Sequence, residues 1–351
     1  MKKYIPLRIG KGSISLLLDK RALTITSLFA AGALLVFIAS LSLGEEIMNP
    51  MRVVKTLFGY GDELDILIVQ SFRLPRILVA LLVGICLAIA GAILQGIIRN
   101  PLASPDVIGV TGGASVTVVL FLYVFSDANN ALTVSIKWMP VAAVIGAVAM
   151  GLIVYILSWK GRSSTFLLVL IGIGLSMLAQ SLTTLLMIKS SIYQASQANV
   201  WLTGSVSKAT WEQVHILLPL TIILCVFCII VIRKVNVQQL DEDLAMGVGS
   251  NVQKNQLLLL MLGTACAGIA VAFGGNIGFV GLMAPHIARR LVGSSFGALL
   301  PVTACIGGLL VMLSDLAGRI IFSPLEVPAG VFTAAIGAPY FIYILYKTRN
   351  S

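Results

Sequence analysis

Asp241, Glu242 and Asp243 stand in a row at the head of a polar stretch, residues 240–254, that separates two long apolar runs. Acids here suit the positive end of a short helix, where backbone N–H groups are unpaired and the helix dipole favours negative charge. Leu240, Leu244, Met246 and Val248 would form an apolar face on that helix. Gly247 and Gly249 would then turn the chain, and Asn251 would cap a second helix starting near Val252. Such a helix–turn–helix has the chemistry of recognition rather than of catalysis: an apolar patch rimmed by acids docks a soluble partner. The plainer alternative is a solvated loop with no partner.

A second set is Arg73-Leu74-Pro75-Arg76, just ahead of an apolar run. Pro75 is expected to keep Leu74 out of the α conformation. Two guanidinium forks can pair with carboxylates, or their stems can simply snorkel at a membrane surface. Pro101 and Pro105 in Asn100-Pro101-Leu102-Ala103-Ser104-Pro105 preclude a continuous helix there. Cys225-x-x-Cys228 would read as a redox pair in a soluble protein, but its apolar surroundings hold nothing that lowers a thiol pKa. The small-buried-hydrophobe reading is favoured. The histidines are His215 and His286, which cannot build a metal site without further ligands, so His286 is read as structural. No G-x-x-x-x-G-K-[ST] nucleotide loop and no H-E-x-x-H occurs. The chain is therefore read as non-catalytic, holding no metal or cofactor of its own.

The elements that must position these residues follow from composition. The chain has 351 residues, 58% hydrophobic and only 11% charged, where a soluble domain carries about 25% charged residues. Mean hydropathy is +1.01. Continuous apolar runs, rather than short alternating segments, exclude a membrane β-barrel and define an all-α polytopic membrane protein. About 20 apolar residues cross a bilayer. Ten runs qualify in length or nearly so: 22–43, 77–98, 107–125, 139–158, 165–188, 214–232, 257–273, 277–288, 298–313 and 327–346. With both termini cytoplasmic, the inner segments hold 16 of the 24 basic residues and the outer segments 8, as the positive-inside rule requires. The net charge of +10 is thus a topology signal, not a nucleic-acid surface. Residues 1–21 form a cytoplasmic N-terminal segment ahead of a retained first span, and residues 1–351 one transmembrane domain. Asp106, Asp315, Arg319 and Glu326 lie at run ends, not at mid-span. This argues against a proton-coupled carrier, although an ion-coupled secondary carrier or channel remains the rival class. Gly278, Gly281 and Ala284, three apart, are expected to let helices approach closely.

Asp243-Leu244-Ala245-x-x-x-Gly249 resembles the E-A-A-x-x-x-G loop by which membrane subunits of ABC importers contact their ATPase. Asp replaces the usual Glu, and Leu the first Ala. Further segments are similar to the FecCD family of type II permeases for iron–siderophores, haem and cobalamin. They are Arg73 to Arg76, Gly91 to Gln95, Asn100 to Pro105 with Gly109, Gly278 to Arg290, Leu313 to Arg319, Glu326 to Gly330 and Gly337 to Pro339. The resemblance runs from about residue 23 to 346. It implies a permease subunit that forms half of a pathway for an iron(III)–siderophore complex in the bacterial cytoplasmic membrane, with haem or cobalamin as alternative cargo. The implied partners are a second permease subunit (a copy or a paralogue), two cytoplasmic ATPase subunits that bind the ATP and magnesium, and an extracellular or periplasmic binding protein. It assigns ATPase coupling to Asp243, Leu244, Ala245 and Gly249, and binding-protein docking to Arg73, Arg76 and Arg319. A cytoplasmic gate falls on Asn100, Leu102, Thr165 and Phe166, where Phe166 is bulkier than the small polar residue of the resembling permeases.

Overall fold

Each of the ten apolar runs becomes a helix in the computed structural model, which describes residues 4–9, 14–44, 46–127, 131–160, 162–163 and 165–349. Two strands, β1 (Tyr4–Ile9) and β2 (Ile14–Asp19), pair antiparallel ahead of the first helix. The polar, basic reading of residues 1–21 had not anticipated this hairpin. Its strands carry the β-branched and aliphatic residues that favour extended chain. Helix α1 (Lys20–Ser42) is capped by the Asp19 carboxylate. A short helix α2 (Pro50–Leu57) follows, with Asn49 as cap and Pro50 in its first turn.

Next comes α3 (Glu63–Ile66), which continues through a π-helical stretch, Leu67–Arg73, into α4 (Leu74–Ile98). The apolar run had suggested a start near Ile77, because Glu63, Asp65, Gln70 and Arg73 depress local hydropathy without breaking the helix. Leu74 is also helical, at φ −62° and ψ −48°, against the expectation drawn from Pro75. The helix runs through Pro75 from the preceding π stretch, and the Gln70 carbonyl accepts from Trp211 Nε1 at 2.8 Å.

The remaining helices are α5 (Val110–Val124), α6 (Met139–Ser158), α7 (Thr165–Lys189), α8 (Ile192–Thr203), α9 (Trp211–Ile230), α10 (Ile232–Gln238), α11 (Glu242–Gly247), α12 (Val252–Gly274), α13 (Val280–Val292), α14 (Phe296–Ile320) and α15 (Ala329–Arg349). A two-residue ladder, β3 (Trp159–Lys160) with β4 (Arg162–Ser163), joins α6 to α7. Among the described residues eight helices are long and apolar enough to cross a membrane, and α5 is a shorter apolar one. Helix α13 has only 13 residues.

Helix α4 is the buried centre, with α12 and α14 on either side; α1 lies outside α14, and α6, α5 and α7 extend beyond α12. Glycine lets these backbones touch. A Cβ on Gly91 would sit 1.7 Å from the Gly281 carbonyl oxygen of α13, and one on Gly84 would sit 2.3 Å from that of Gly307 in α14. Gly281 thus serves the close approach expected of it, whereas a Cβ on Gly278 would meet nothing within 4 Å.

The threading gathers polar groups at two opposite ends. One holds the end of α1, α2, α3, the start of α4 and the end of α14. The other holds the end of α4, α10, α11 and the start of α14.

Candidate functional site

At the second end, Asp241 sits in extended backbone at the head of α11. The helix closes at Gly247, and Gly249 takes φ +79° with no neighbour within 4 Å of a built Cβ. Its N–H bonds the Met246 carbonyl at 2.9 Å and that of Ser250 bonds the Ala245 carbonyl at 3.0 Å, satisfying the helix end. Asn251 then accepts from the Lys254 N–H at 3.0 Å and opens α12 at Val252. The helix–turn–helix read from residues 240–254 is present. Of its assigned coupling residues, Ala245 is fully buried and anchors α11, while Leu244 is exposed with Leu240, Met246 and Val248. The apolar side chains face outward, away from the chain's own core, and Asp243 lies in the first turn.

This unit is tied to α4. Arg99, itself in the left-handed region at φ 54°, donates from Nε to the Gln238 carbonyl at 3.0 Å and lies 3.7 Å from Asp241. Val235 of α10 is fully buried against Gly96, whose Cβ would come within 2.9 Å of its Cγ1. Asn236 accepts from the Phe296 N–H at 2.8 Å, holding the start of α14. Sequence reasoning missed these ties, since Arg99 and Gln238 are 139 positions apart.

At the first end, Arg73, Arg76 and Arg319 are only 7–9% exposed. Arg73 donates to the carbonyls of Leu41 and Glu46, both at 2.6 Å. Arg76 grips Asp315 with Nε at 3.0 and 3.1 Å from its two oxygens and Nη2 at 2.9 Å, and reaches Glu326 at 2.8 Å. Arg319 donates to the Ser40 carbonyl at 3.0 Å and lies 3.5 Å from Asp315. These three arginines, to which binding-protein docking is assigned, are each held by carbonyls or carboxylates of the chain itself. A buried cation needs such partners, and they come from segments too distant in sequence to be anticipated.

Between the ends lies a cavity of about 940 Å³ lined by α5, α7, α8, α13, α15 and the loop that follows α4. Its wall carries hydroxyls and amides, among them Thr111, Ser115, Ser176, Gln180 and Thr184. Asp106 is the ionisable group in that lining. Phe279 also lines it, at φ +66°, an outlier for a bulky residue. Its ring rests on Gly337 of α15, where a built Cβ would fall 2.4 Å from the Phe279 Cγ.

Of the gate residues, Leu102 lines this cavity, and the Asn100 side chain accepts from the Leu102 N–H at 2.9 Å. Phe166 is 76% exposed near the start of α7 and is not part of the lining. Thr165 opens α7, but its side chain lies outside the described residues. His286 is buried edge-on to the Tyr340 ring, 5.9 Å between centroids. Cys228 is buried as well, and Cys86 contacts the Thr221 hydroxyl at 3.3 Å.

A polytopic helical body, a cavity whose largely apolar wall carries hydroxyls and amides, and a short helix with an exposed apolar face at one end define a membrane transport permease. The chain belongs to the FecCD transport family, which matches residues 32–347. It is 62% identical over 316 residues to the "Probable siderophore transport system permease protein YfhA" of Bacillus subtilis (strain 168), covering 90% of this chain and 92% of that protein. It is 44% identical to the achromobactin transport system permease protein CbrC of Dickeya dadantii (strain 3937), over 90% of this chain and 89% of the relative. Its fold matches a metal-chelate type ABC transporter solved in an inward-facing conformation, with TM-score 0.81, 30% identity, and coverage of 92% of this chain and 99% of the other.

Proposed function

We propose that this chain is the permease subunit of a binding-protein-dependent ABC importer that moves an iron(III)–siderophore complex across the bacterial cytoplasmic membrane. What supports this most is membership of the FecCD family across the whole helical body, with a 62% identical relative described as a siderophore permease. Two permease subunits, this chain with a copy or a paralogue, enclose the pathway between their cavity faces. Asn100, Leu102, Thr165 and Phe166 form its cytoplasmic gate once the second subunit is in place.

Two cytoplasmic ATPase subunits bind ATP and magnesium, and each docks on an α11. Leu244, Met246 and Val248 supply apolar contact, Asp243 its charge, and Gly249 the turn that presents the helix. ATP-driven motion of α11 passes through buried Ala245 and through Val235 on Gly96 into α4, and so to the cavity wall. The weakly charged wall, apolar with scattered hydroxyls and amides, suits a conduit that must release its cargo. An extracellular or periplasmic binding protein docks at the end holding Arg73, Arg76 and Arg319. In this conformation those arginines shape the docking end from within, and Arg52, Glu63 and the half-exposed Glu326 carboxylate lie at its surface.

The test is uptake by proteoliposomes carrying the assembled complex. Uptake that requires ATP and the loaded binding protein supports the reading, and uptake by the chain alone under an ion gradient overturns it.

A further inference from the structure

Helix α2 has three faces rather than two. Val53 and Thr56 are buried, with Leu57 partly so. Met51 and Val54 are exposed, and Phe58, just past the helix end, extends them into a stripe at i, i+3 and i+7, the spacing of one helical face. Met51 and Phe58 are 73% and 77% exposed. Arg52 and Lys55 occupy a third sector beside that stripe. The neighbouring segment continues the apolar surface: Ile47, Tyr60, Leu64 and Phe72 are exposed too.

The position of α2 says what covers this face. It follows and packs on α1, the span on the far side of α14 from the cavity, whose Leu28, Leu34 and Leu35 are exposed as lipid-facing residues should be. The α2 stripe is therefore continuous with a hydrocarbon-facing surface and remote from the pathway. A face of Met, Val and Phe beside cations matches the layering of a bilayer edge, acyl chains below and phosphates beside. An amphipathic ring such as that of Tyr60 favours that boundary. The Arg52 guanidinium is taken up by Asp65 and by Asp62 at 3.2 Å, which leaves exposed Lys55 as the cation beside the stripe.

We propose that α2 is an interfacial helix that lies in the bilayer surface, with Met51, Val54 and Phe58 among acyl chains and Lys55 at phospholipid phosphates. It anchors the link between the first two spans to the membrane. This rests on the reading of the chain as a membrane permease, so the test carries a control for it. Nitroxide labels are placed at Met51→Cys, Val54→Cys, Phe58→Cys and Lys55→Cys, and at Leu34→Cys on α1. They are read in proteoliposomes of the assembled importer, with the unsubstituted chain as background. The expected result is collision with oxygen and loss of collision with a water-soluble nickel chelate at 51, 54, 58 and 34, with nickel collision retained at 55. Nickel collision at 51, 54 and 58 while Leu34→Cys stays lipid-like would overturn the proposal alone. Shielding of those three positions from both reagents would show that a protein covers the face, and would overturn it equally. Nickel collision at Leu34→Cys as well would instead overturn the membrane assignment beneath it.

Discussion

Arg76 and Asp315, 239 positions apart, meet in a buried ion pair in which the guanidinium contacts both carboxylate oxygens, joining the start of α4 to the end of α14. Glu326 engages the other side of Arg76, and Asp315 also serves Arg319. Removing one partner of a buried pair costs about 3–5 kcal/mol, because the other charge is left uncompensated. Asp315→Ala strands two guanidinium groups and should lower the thermal unfolding midpoint sharply. Glu326→Gln, at a half-exposed carboxylate, should lower it little. The midpoints of both variants in detergent, with the Arg76→Ala/Asp315→Ala double variant to expose the coupling, check this. Equal effects at 315 and 326 would contradict it.

That pair also marks where sequence reading stopped. Ten apolar runs predicted ten helices, and Asn251 and Gly249 were legible as cap and turn, because those signals are local. Whether an arginine faces water or a carboxylate 239 residues away is not local, so the burial of Arg73, Arg76 and Arg319 was not legible. The start of α4 was misplaced for a related reason: hydropathy falls where charged residues enter, although tertiary partners keep them helical. The polar side of the cavity was invisible too, since Thr111, Gln180 and Asn276 lie on separate elements.

Gly249 is constrained by its backbone and not by space. An L-residue in the left-handed region costs about 1–2 kcal/mol, and Asn tolerates it better than most. Gly249→Val should therefore uncouple ATP hydrolysis from uptake while membrane insertion persists, with Gly249→Asn intermediate. Parallel measurement of ATPase rate and uptake in the assembled importer decides this. Equal uptake in all three chains would return residues 240–254 to an ordinary loop.

The glycine contacts make a paired prediction. Gly91→Leu forces α4 and α13 apart and should abolish a monodisperse, folded preparation. Gly278→Ala, with nothing within 4 Å of the new Cβ, should purify and melt like the parent chain. Size-exclusion profiles and unfolding midpoints of both variants test it.

Phe279 and Gly337 close the cavity wall between α13 and α15. Gly337→Ala must displace the Phe279 ring and should reduce uptake several-fold with little change in ATPase coupling to α11. Phe279→Gly relaxes the left-handed strain, which costs of order 1–3 kcal/mol, but removes the ring. It should stay folded and transport abnormally. Transport rates at saturating loaded binding protein, set against expression level, separate the two effects.

The central claim is that an external ATPase, engaged through α11, drives cargo through this chain. Its most direct test is to reconstitute this chain with its second permease subunit and ATPases, and to follow iron-55 siderophore uptake from loaded binding protein. The measurement is made with ATP, with a non-hydrolysable analogue, and with Leu244→Asp in α11. The account predicts uptake with ATP alone, lost with the analogue and strongly reduced by Leu244→Asp. Uptake that persists without hydrolysable ATP, or that Leu244→Asp leaves unchanged, would contradict it.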